Sequence, residues 1–495
     1  MVCYKVGCQF DFNNKKIIMT LIETIAKNWK LEAKLEQGKY FYNYKEVQTI
    51  LDNERCYVIG RKGTGKTAIC NYIVKQNAFN VFSERLSFKN FPFNELYSLT
   101  NVKFTATNQY ITLWKYLIYS TVCKLMVTNQ SIDHSVRDQL SKMYPQNDIK
   151  QLSRKVSEWT SLEFGASVLG YGGNLKAERQ PIEKQIPWID KVDVIEDIII
   201  RYCDKSKYYI VFDELDEDYR DVSNNEESIQ YKNLLTSLFK AVQDVKCIFA
   251  DADLDIMPVV FLRDDIYALL NDSDKNKWSD LKIELEWNEE KIKSMLAYRI
   301  SQDNNPEKGV MSFTEAWDCV FKRGSIAYGN EQSKTMSTFD FITRSTQLRP
   351  RDFIKYIQAC CEISLEKKET YVSQETIKYV DRAFSNYLRN EITDEVYPLI
   401  PEIDNVFQVI SNIRKQKFTF EEFSKEYLKY VELGTIMQKN INFVLDTLFN
   451  FSVIGNENKY QTGRHYFKYL HTNMTYNINE KIVLHRGLLK SLQIF

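Results

Sequence analysis

Eight consecutive residues constrain this chain more than any others. Gly60-Arg61-Lys62-Gly63-Thr64-Gly65-Lys66-Thr67 follow the apolar run Cys56-Tyr57-Val58-Ile59 and lead into Thr67-Ala68-Ile69. A short buried strand, a glycine-rich turn and a helix start in that order form a phosphate-binding loop. Gly60 and Gly65 let the backbone turn tightly, so that successive N–H groups point inward at phosphate oxygens. The helix start adds free N–H groups and the positive end of its dipole. Lys66 supplies a point charge for the outer phosphates, and the Thr67 hydroxyl is a ligand for Mg²⁺. Gly60, Gly63, Thr64, Gly65, Lys66, Thr67 and Ala68 are the candidate nucleotide-binding residues, with ATP and Mg²⁺ as the expected ligands.

A second pattern supplies the other half of such a site. Lys207–Phe212 reads as a buried central strand, and Asp213-Glu214 follow it. An apolar strand ending in two acids is the Walker B pattern. Asp213 is placed to hold the water shell of Mg²⁺, and Glu214 to polarise the attacking water as general base. The 147 residues between Lys66 and Asp213 far exceed the roughly 30 of a direct strand–helix–strand unit. Either a strand or a large helical insertion therefore separates the two motifs. A further strand, Met257–Leu262, follows the acids, which suits the NTPase branch with an additional strand between the motif strands.

Two arginines extend the pattern. Arg263 leaves the strand Met257–Leu262 and is either a first sensor of the terminal phosphate or a partner of Asp264 or Asp265 in a loop. In Leu348-Arg349-Pro350-Arg351-Asp352 the proline suits the first helical position. An arginine in a first turn opposes the helix dipole unless an anion is near. Arg351 thus reads as a second phosphate sensor opening a lid helix, or as a surface arginine offset by Asp352.

The rest of the chain sets the frame. Its 495 residues amount to two to four domains, and Lys plus Arg (66) balance Asp plus Glu (66), so no global field favours nucleic acid or membrane. Ten cysteines without a CxxC pair and four histidines argue for reduced thiols and against zinc. His134, His465, His471 and His485 are isolated and read as structural. Met1 to Phe12 shows no signal-peptide core and no apolar window spans a bilayer, so a soluble cytoplasmic protein is expected.

The expected organisation is an N-terminal helical lead-in at 1–39, with helical spacing over 15–35. An ATPase core follows at 40–287 with a helical insertion at about 107–185. A helical lid covers 288–390, read as helical throughout, and a winged-helix-like module covers 391–495 with a wing near 453–469. The fold class is an α/β P-loop NTPase core of the additional-strand type. The glycine-rich stretch 164–175 suggests a hairpin or flap, since no Lys-Ser/Thr follows it. Tyr40 to Tyr44 suit either stacking on a base or core packing.

Taken together, VIGRKGTGKTAI, VFDELDEDY, VVFLRDDIY, IELEW, LRPRDFI and IVLHRGLLKSL resemble an uncharacterised group of bacterial P-loop ATPases labelled FunZ-like. That group is similar to the STAND and origin-recognition branches of the AAA+-related ATPases. The resemblance runs from about Tyr40 to Phe495. It implies an ATPase core, a lid carrying the second sensor arginine, and a C-terminal winged helix. It also implies a switch in signalling or antiphage defence with a protein partner or effector. Beyond Arg263 and Arg344 there is no clear arginine-finger motif, so ring assembly is not implied, while a homo-oligomer stays open.

Three functions compete on this basis. The first is an ATP-driven switch acting with a partner. The second is a DNA-binding ATPase, a loader or mobile-element factor, using the mildly basic C-terminal module with Arg414, Lys415, Lys417, Lys459, Arg464 and Lys468. The third, a small-molecule kinase, is disfavoured by length, the acid pair and the lid arginines.

Overall fold

The computed structural model describes residues 20–144, Lys155, 188–218 and 226–494, apart from residues 77, 90–92, 102, 106–107 and 462. The glycine-rich stretch 164–175 and residues 1–19 lie outside the described residues.

Strands β1 (Tyr57–Ile59), β2 (Val81–Ser87), β3 (Lys207–Asp213), β4 (Ile256–Leu262) and β5 (Lys282–Glu284) form one sheet in the order β2-β3-β4-β1-β5. Every pairing is parallel. β4 lies between the strand that enters the phosphate loop and the strand that ends in Asp213. This is the additional-strand arrangement of P-loop NTPases, and the α/β fold class expected from the motifs is the fold adopted. β3 and β4 are buried along almost their whole length, as parallel strands covered on both faces must be. The sheet carries its loops at the C-terminal strand ends, where ligands of open α/β sheets bind.

Two apolar layers cover the sheet. On one face the P-loop helix Lys66–Val74 and the helix Lys45–Leu51 place Ile69, Ile73, Val47 and Ile50 against Val58, Val211, Val259 and Phe261. The other face is covered by the helix Ile111–Thr128, against β2 and β3, and the helix Glu226–Asp251, against β4; the first lies in the middle, between the second and the helix Trp188–Tyr202. That middle helix is apolar on nearly all sides, as a helix buried all round must be. Its Trp114 Nε1 donates to the Leu234 carbonyl at 2.8 Å. The described part of the expected insertion is therefore structural cover for the sheet.

The segment expected as the lid, called the lid below, comprises the helices Glu289–Asn304, Phe313–Val320, Thr338–Thr343, Pro350–Glu366 and Gln374–Val396. Asn288 caps the first, its side chain accepting from the Lys291 N–H. The lid is not all helix. β6 (Ser325–Tyr328) and β7 (Lys334–Ser337) form an antiparallel hairpin. Gly324 (φ 134°) and Gly329 (φ 80°) supply backbone angles that a continuing helix does not have. The last helix runs through position 390, the boundary expected from the sequence, and ends at Val396.

Beyond it lie the helices Ile403–Ile413, Phe420–Glu432 and Ile441–Asn450 and an antiparallel sheet of β8 (Lys417–Phe418), β9 (Ile454–Glu457), β10 (His465–Tyr466) and β11 (Lys481–Leu484), ordered β10-β9-β11-β8. The N-terminal helix Leu21–Asn28 stops well before residue 35. It buries Ile22, Ile25 and Ala26 against the lid helices Glu289–Asn304 and Pro350–Glu366. One apolar cluster joins that helix, the lid and the C-terminal unit, from Ile22 to Ile494. Among the described residues no helix is long and apolar enough to cross a membrane.

Candidate active site

The phosphate loop starts where β1 stops. Gly60 N–H donates to the Leu262 carbonyl at 3.2 Å, which ties the loop's first residue to β4. Gly63 (φ 82°) and Gly65 (φ 98°) occupy the left-handed region that favours glycine. Gly60 does not; its requirement is space. A Cβ there would meet Leu285 Cβ at 2.9 Å and Thr64 Oγ1 at 2.7 Å. The tight turning assigned to Gly60 and Gly65 thus belongs to Gly63 and Gly65. Gly65 opens the P-loop helix without any side-chain cap, so the first-turn N–H groups of that helix face the cavity. Lys66 Nζ donates to the carbonyls of Gly60 (2.7 Å) and Arg61 (3.0 Å). Burial pushes its pKa down, with Asp216 and Asp264 opposing.

Thr64 differs from its expected role. Its hydroxyl donates to the Arg61 carbonyl at 2.8 Å, and its own carbonyl accepts from Trp287 Nε1 at 3.0 Å. Its backbone N–H reaches the same Arg61 carbonyl at 3.3 Å, so side chain and backbone together shape the loop. Thr67 and Ala68 line the cavity with Gly63, Gly65 and Lys66.

Asp213 and Glu214 stand at the end of β3 beside this loop. Asp213 is buried, and its carboxylate pairs with Arg85 of β2 and accepts the Glu214 N–H at 3.0 Å. Burial raises the pKa of Asp213, against the pull of Arg85. Glu214 takes a positive φ of 61°, uncommon for a residue with a side chain. Its Oε1 accepts from Lys34 Nζ at 2.7 Å, its Oε2 from the Ser87 hydroxyl, and Arg85 lies 3.5 Å away. Burial raises the Glu214 pKa, but the Lys34 and Ser87 hydrogen bonds outweigh it and leave the group below its ordinary value.

The two arginines behave differently. Arg263 lines the cavity, yet its guanidinium is clasped by Asp265, with Nε to Oδ1 at 3.0 Å and Nη2 to Oδ2 at 2.6 Å. Asp216 is 3.7 Å from its other nitrogen. The pairing partner is thus Asp265 rather than Asp264. Arg351 is in the first turn of Pro350–Glu366, with Pro350 at the first helical position as expected. Its backbone N–H approaches the Gly63 carbonyl at 3.4 Å, so the lid rests directly on the phosphate loop. Its guanidinium meets Glu391 at 3.3 Å and Glu32 at 3.6 Å. The arginine offset by Asp352 is its neighbour Arg349, buried and paired with Asp352 (3.0 Å) and Glu395 (2.8 Å).

Residues 63–68, Asp213, Glu214, Arg263 and Arg351 line one cavity of about 690 Å³, within the usual range for a small-molecule site. Tyr40, Phe41, Tyr42 and Tyr44 close it on another side. Phe41 stacks on Tyr72 with centroids 4.3 Å apart, and the Tyr40 hydroxyl donates to Asp303 at 2.5 Å, so this segment packs and lines the site at once. The donors fit a nucleotide triphosphate: two left-handed glycines, an uncapped helix start and a lysine. Thr67 and Asp213 offer a hydroxyl and a carboxylate oxygen, ligands suited to Mg²⁺.

Sequence reasoning passed over Arg85, Ser87 and Lys34. Ser83, Arg85 and Ser87 alternate on one face of β2, and the register sets Ser87 beside Asp213. The alternation of Ser83, Arg85 and Ser87 was the available signal for the first two; Lys34 left none.

Residues 290–393 match a family model described as the FunZ-associated C-terminal helical domain, in agreement with the FunZ-like resemblance over that segment. No curated protein matches the sequence. Among solved structures, the chain is similar to the ORC2 protein of Aeropyrum pernix with ADPNP and ADP (11% identity, 92% of this chain and 96% of that chain, TM-score 0.43). It is also similar to Drosophila ORC bound to DNA (11%, 99% and 95%, TM-score 0.32) and to Cdc6p of Pyrobaculum aerophilum (11%, 92% and 95%, TM-score 0.31). At these scores the likenesses add no weight to the fold, which rests on strand order and loop geometry.

Proposed function

We propose that the chain binds ATP with Mg²⁺ in this cavity, hydrolyses it, and uses the cycle as a conformational switch. The observation that carries this reading is the convergence of the phosphate loop, both β3 carboxylates and the lid's Arg351 on one cavity. Backbone N–H groups of Gly63 and of residues 65–68 cradle the phosphates, and Lys66 leaves its carbonyl partners for the outer ones. Thr67 and Asp213 would hold Mg²⁺, which neutralises charge on the phosphates when bound. Glu214 takes a proton from the attacking water as the terminal phosphoryl group leaves ADP. Arg351 reads the terminal phosphate from the lid. Arg263 does so only by loosening its clasp on Asp265.

Glu214→Gln keeps its shape but loses its basicity. It retains ATP affinity within a few-fold and loses roughly 10²–10⁴ in turnover. Lys66→Ala loses binding. Calorimetric titration and phosphate release check both, and wild-type turnover in Glu214→Gln removes the assignment.

A second reading, DNA binding by the C-terminal unit as a winged helix, is favoured by the loop between β9 and β10. That loop exposes Lys459 and Arg464 beside Tyr460. The helix Ile441–Asn450 speaks against base reading, since it exposes Asn442, Asp446 and Asn450 and no cation. Duplex binding that weakens with salt, and weakens again in Lys459→Ala with Arg464→Ala, would establish phosphate contacts. Partnership with an effector protein in signalling or defence, and any homo-oligomer, draw their support from the family resemblance. Co-purification of the full chain with neighbouring gene products is their test.

A further inference from the structure

The segment between Asn28 and Tyr40 lines one side of the cavity, and its ends and its middle belong to different bodies. At one end Trp29, fully buried, donates from Nε1 to Asp303 of the lid helix Glu289–Asn304 at 2.9 Å. At the other, Glu36 is held by both terminal nitrogens of Arg299 on that same helix. Both anchors are on the lid. The middle reaches across to the sheet. The Ala33 carbonyl accepts from Asn71 of the P-loop helix at 2.9 Å, and Lys34 lies on Glu214.

The charges on this strap oppose the working groups of the site. Glu32 offers a carboxylate to Arg351, the residue placed for an anionic phosphate. Lys34 offers an ammonium to Glu214, the residue placed to receive a proton from water. With Lys34 on Oε1 and Ser87 on Oε2, both oxygens of Glu214 are engaged. A carboxylate so neutralised is a poor base, and to act it must shed a partner. Ser87 is fixed in the sheet, whereas Lys34 is 37% exposed on a strap that the lid carries.

We infer that this strap is a brake on hydrolysis: Lys34 parks Glu214, and lid movement withdraws it. The strap makes the brake responsive to polyphosphate. A terminal phosphate that takes Arg351 displaces Glu32, two residues from Lys34, and loosens the segment that holds the ammonium in place. Hydrolysis is then slow until the lid shifts, and the lid's position becomes the control on turnover.

The inference rests on the hydrolytic reading above, and its test separates the two. Phosphate release from ATP is measured on the full chain. Lys34→Ala and the length-preserving Lys34→Gln are each expected to raise kcat on the order of fivefold or more, the scale of a modest coupling between sites, with KM little changed. Lys34→Ala combined with Glu214→Gln is expected to fall to the level of Glu214→Gln alone, since the gain must pass through the freed carboxylate. Equal or lower kcat in both Lys34 variants, with a wild-type unfolding temperature, overturns the brake and leaves the hydrolytic reading standing. A wild-type chain and Lys34 variants that all release no phosphate overturn both.

Discussion

Asp213 is 3% exposed at the end of β3, and the charge that balances it comes from Arg85 on the neighbouring strand. Removing one partner of a buried pair leaves an uncompensated charge, which costs about 3–5 kcal/mol. Arg85→Met is therefore expected to lower the stability of the sheet unit by that order, read as a fall in the urea midpoint. Arg85→Met with Asp213→Asn is expected to recover part of it. Equal midpoints in the two variants would show that the pair is not coupled. The motif residues were legible because a phosphate loop and a strand with terminal acids are each local in sequence. Arg85 was not, since the bond joins residues 128 apart and exists only through strand order. His485 is a second residue whose state follows from place rather than sequence. Burial, with the charges of Arg61 and Arg349, pushes its pKa from 6.5 down to about 3, and its Nδ1 accepts the Gly487 N–H. Below pH 6.5 the unfolded chain takes up a proton that the native imidazole refuses, so stability falls with acid. By pH 5 this amounts to about 2 kcal/mol. His485→Asn keeps an acceptor and cannot titrate. Its melting temperature is expected to fall less than that of wild type between pH 7.5 and pH 5; parallel curves would count against the assignment.

At the scale of elements, the sequence located strands and helices well where one periodicity dominated. Buried runs gave β3 and β4, and Asn288 marked its helix start. The hairpin β6–β7 escaped because eight strand residues between helices carry no long alternation, and only the flanking glycines signal it. The helix Gln374–Val396 runs through the boundary expected at 390, because helical periodicity does not stop where a functional division was expected. The N-terminal helix is the most instructive element. Its sequence showed an amphipathic face but not which surface receives it. Trp29 ends that face, fully buried, with the Arg299 guanidinium 4.7 Å from its ring. Trp29→Ala removes the packing, the indole bond to Asp303 and one anchor of the strap. A buried tryptophan truncation costs about 3–5 kcal/mol. The expected result is a lower melting temperature of the lid and early proteolytic cleavage between residues 28 and 40. A strap as resistant to protease as wild type would show that its hold lies elsewhere.

The whole molecule divides by its cores rather than by its motif map. Two apolar layers hold the sheet, and a third continuous cluster holds the N-terminal helix, the lid and the C-terminal unit together. The C-terminal unit therefore follows the lid as one body; Gly487 lies so close to Ser345 and Leu388 that a Cβ would meet the Ser345 carbonyl at 2.2 Å. The phosphate loop is wired to that body. Arg61 donates to Gln347, a buried lid residue, and lies 5.9 Å from the Tyr469 ring. Gln347 in turn donates to the carbonyls of Phe451 (3.1 Å) and Ser452 (3.3 Å), just ahead of β9. A loop that moves to wrap phosphate thus pulls, through two side chains, on the strand that begins the C-terminal sheet. Gln347→Leu preserves most of the volume and removes both ends of the link, while the phosphate contacts are untouched. Its ATP affinity is expected to change by less than about tenfold, or 1.4 kcal/mol. Its hydrogen exchange is where the loss should appear: nucleotide-dependent protection of amides 451–457 present in the wild type and absent in the variant. Protection that persists in Gln347→Leu would route the coupling through other contacts between the two bodies, such as Arg349 on the Lys62 carbonyl at 3.5 Å, Lys62 on Glu391 at 3.5 Å and the Arg351 N–H on the Gly63 carbonyl at 3.4 Å.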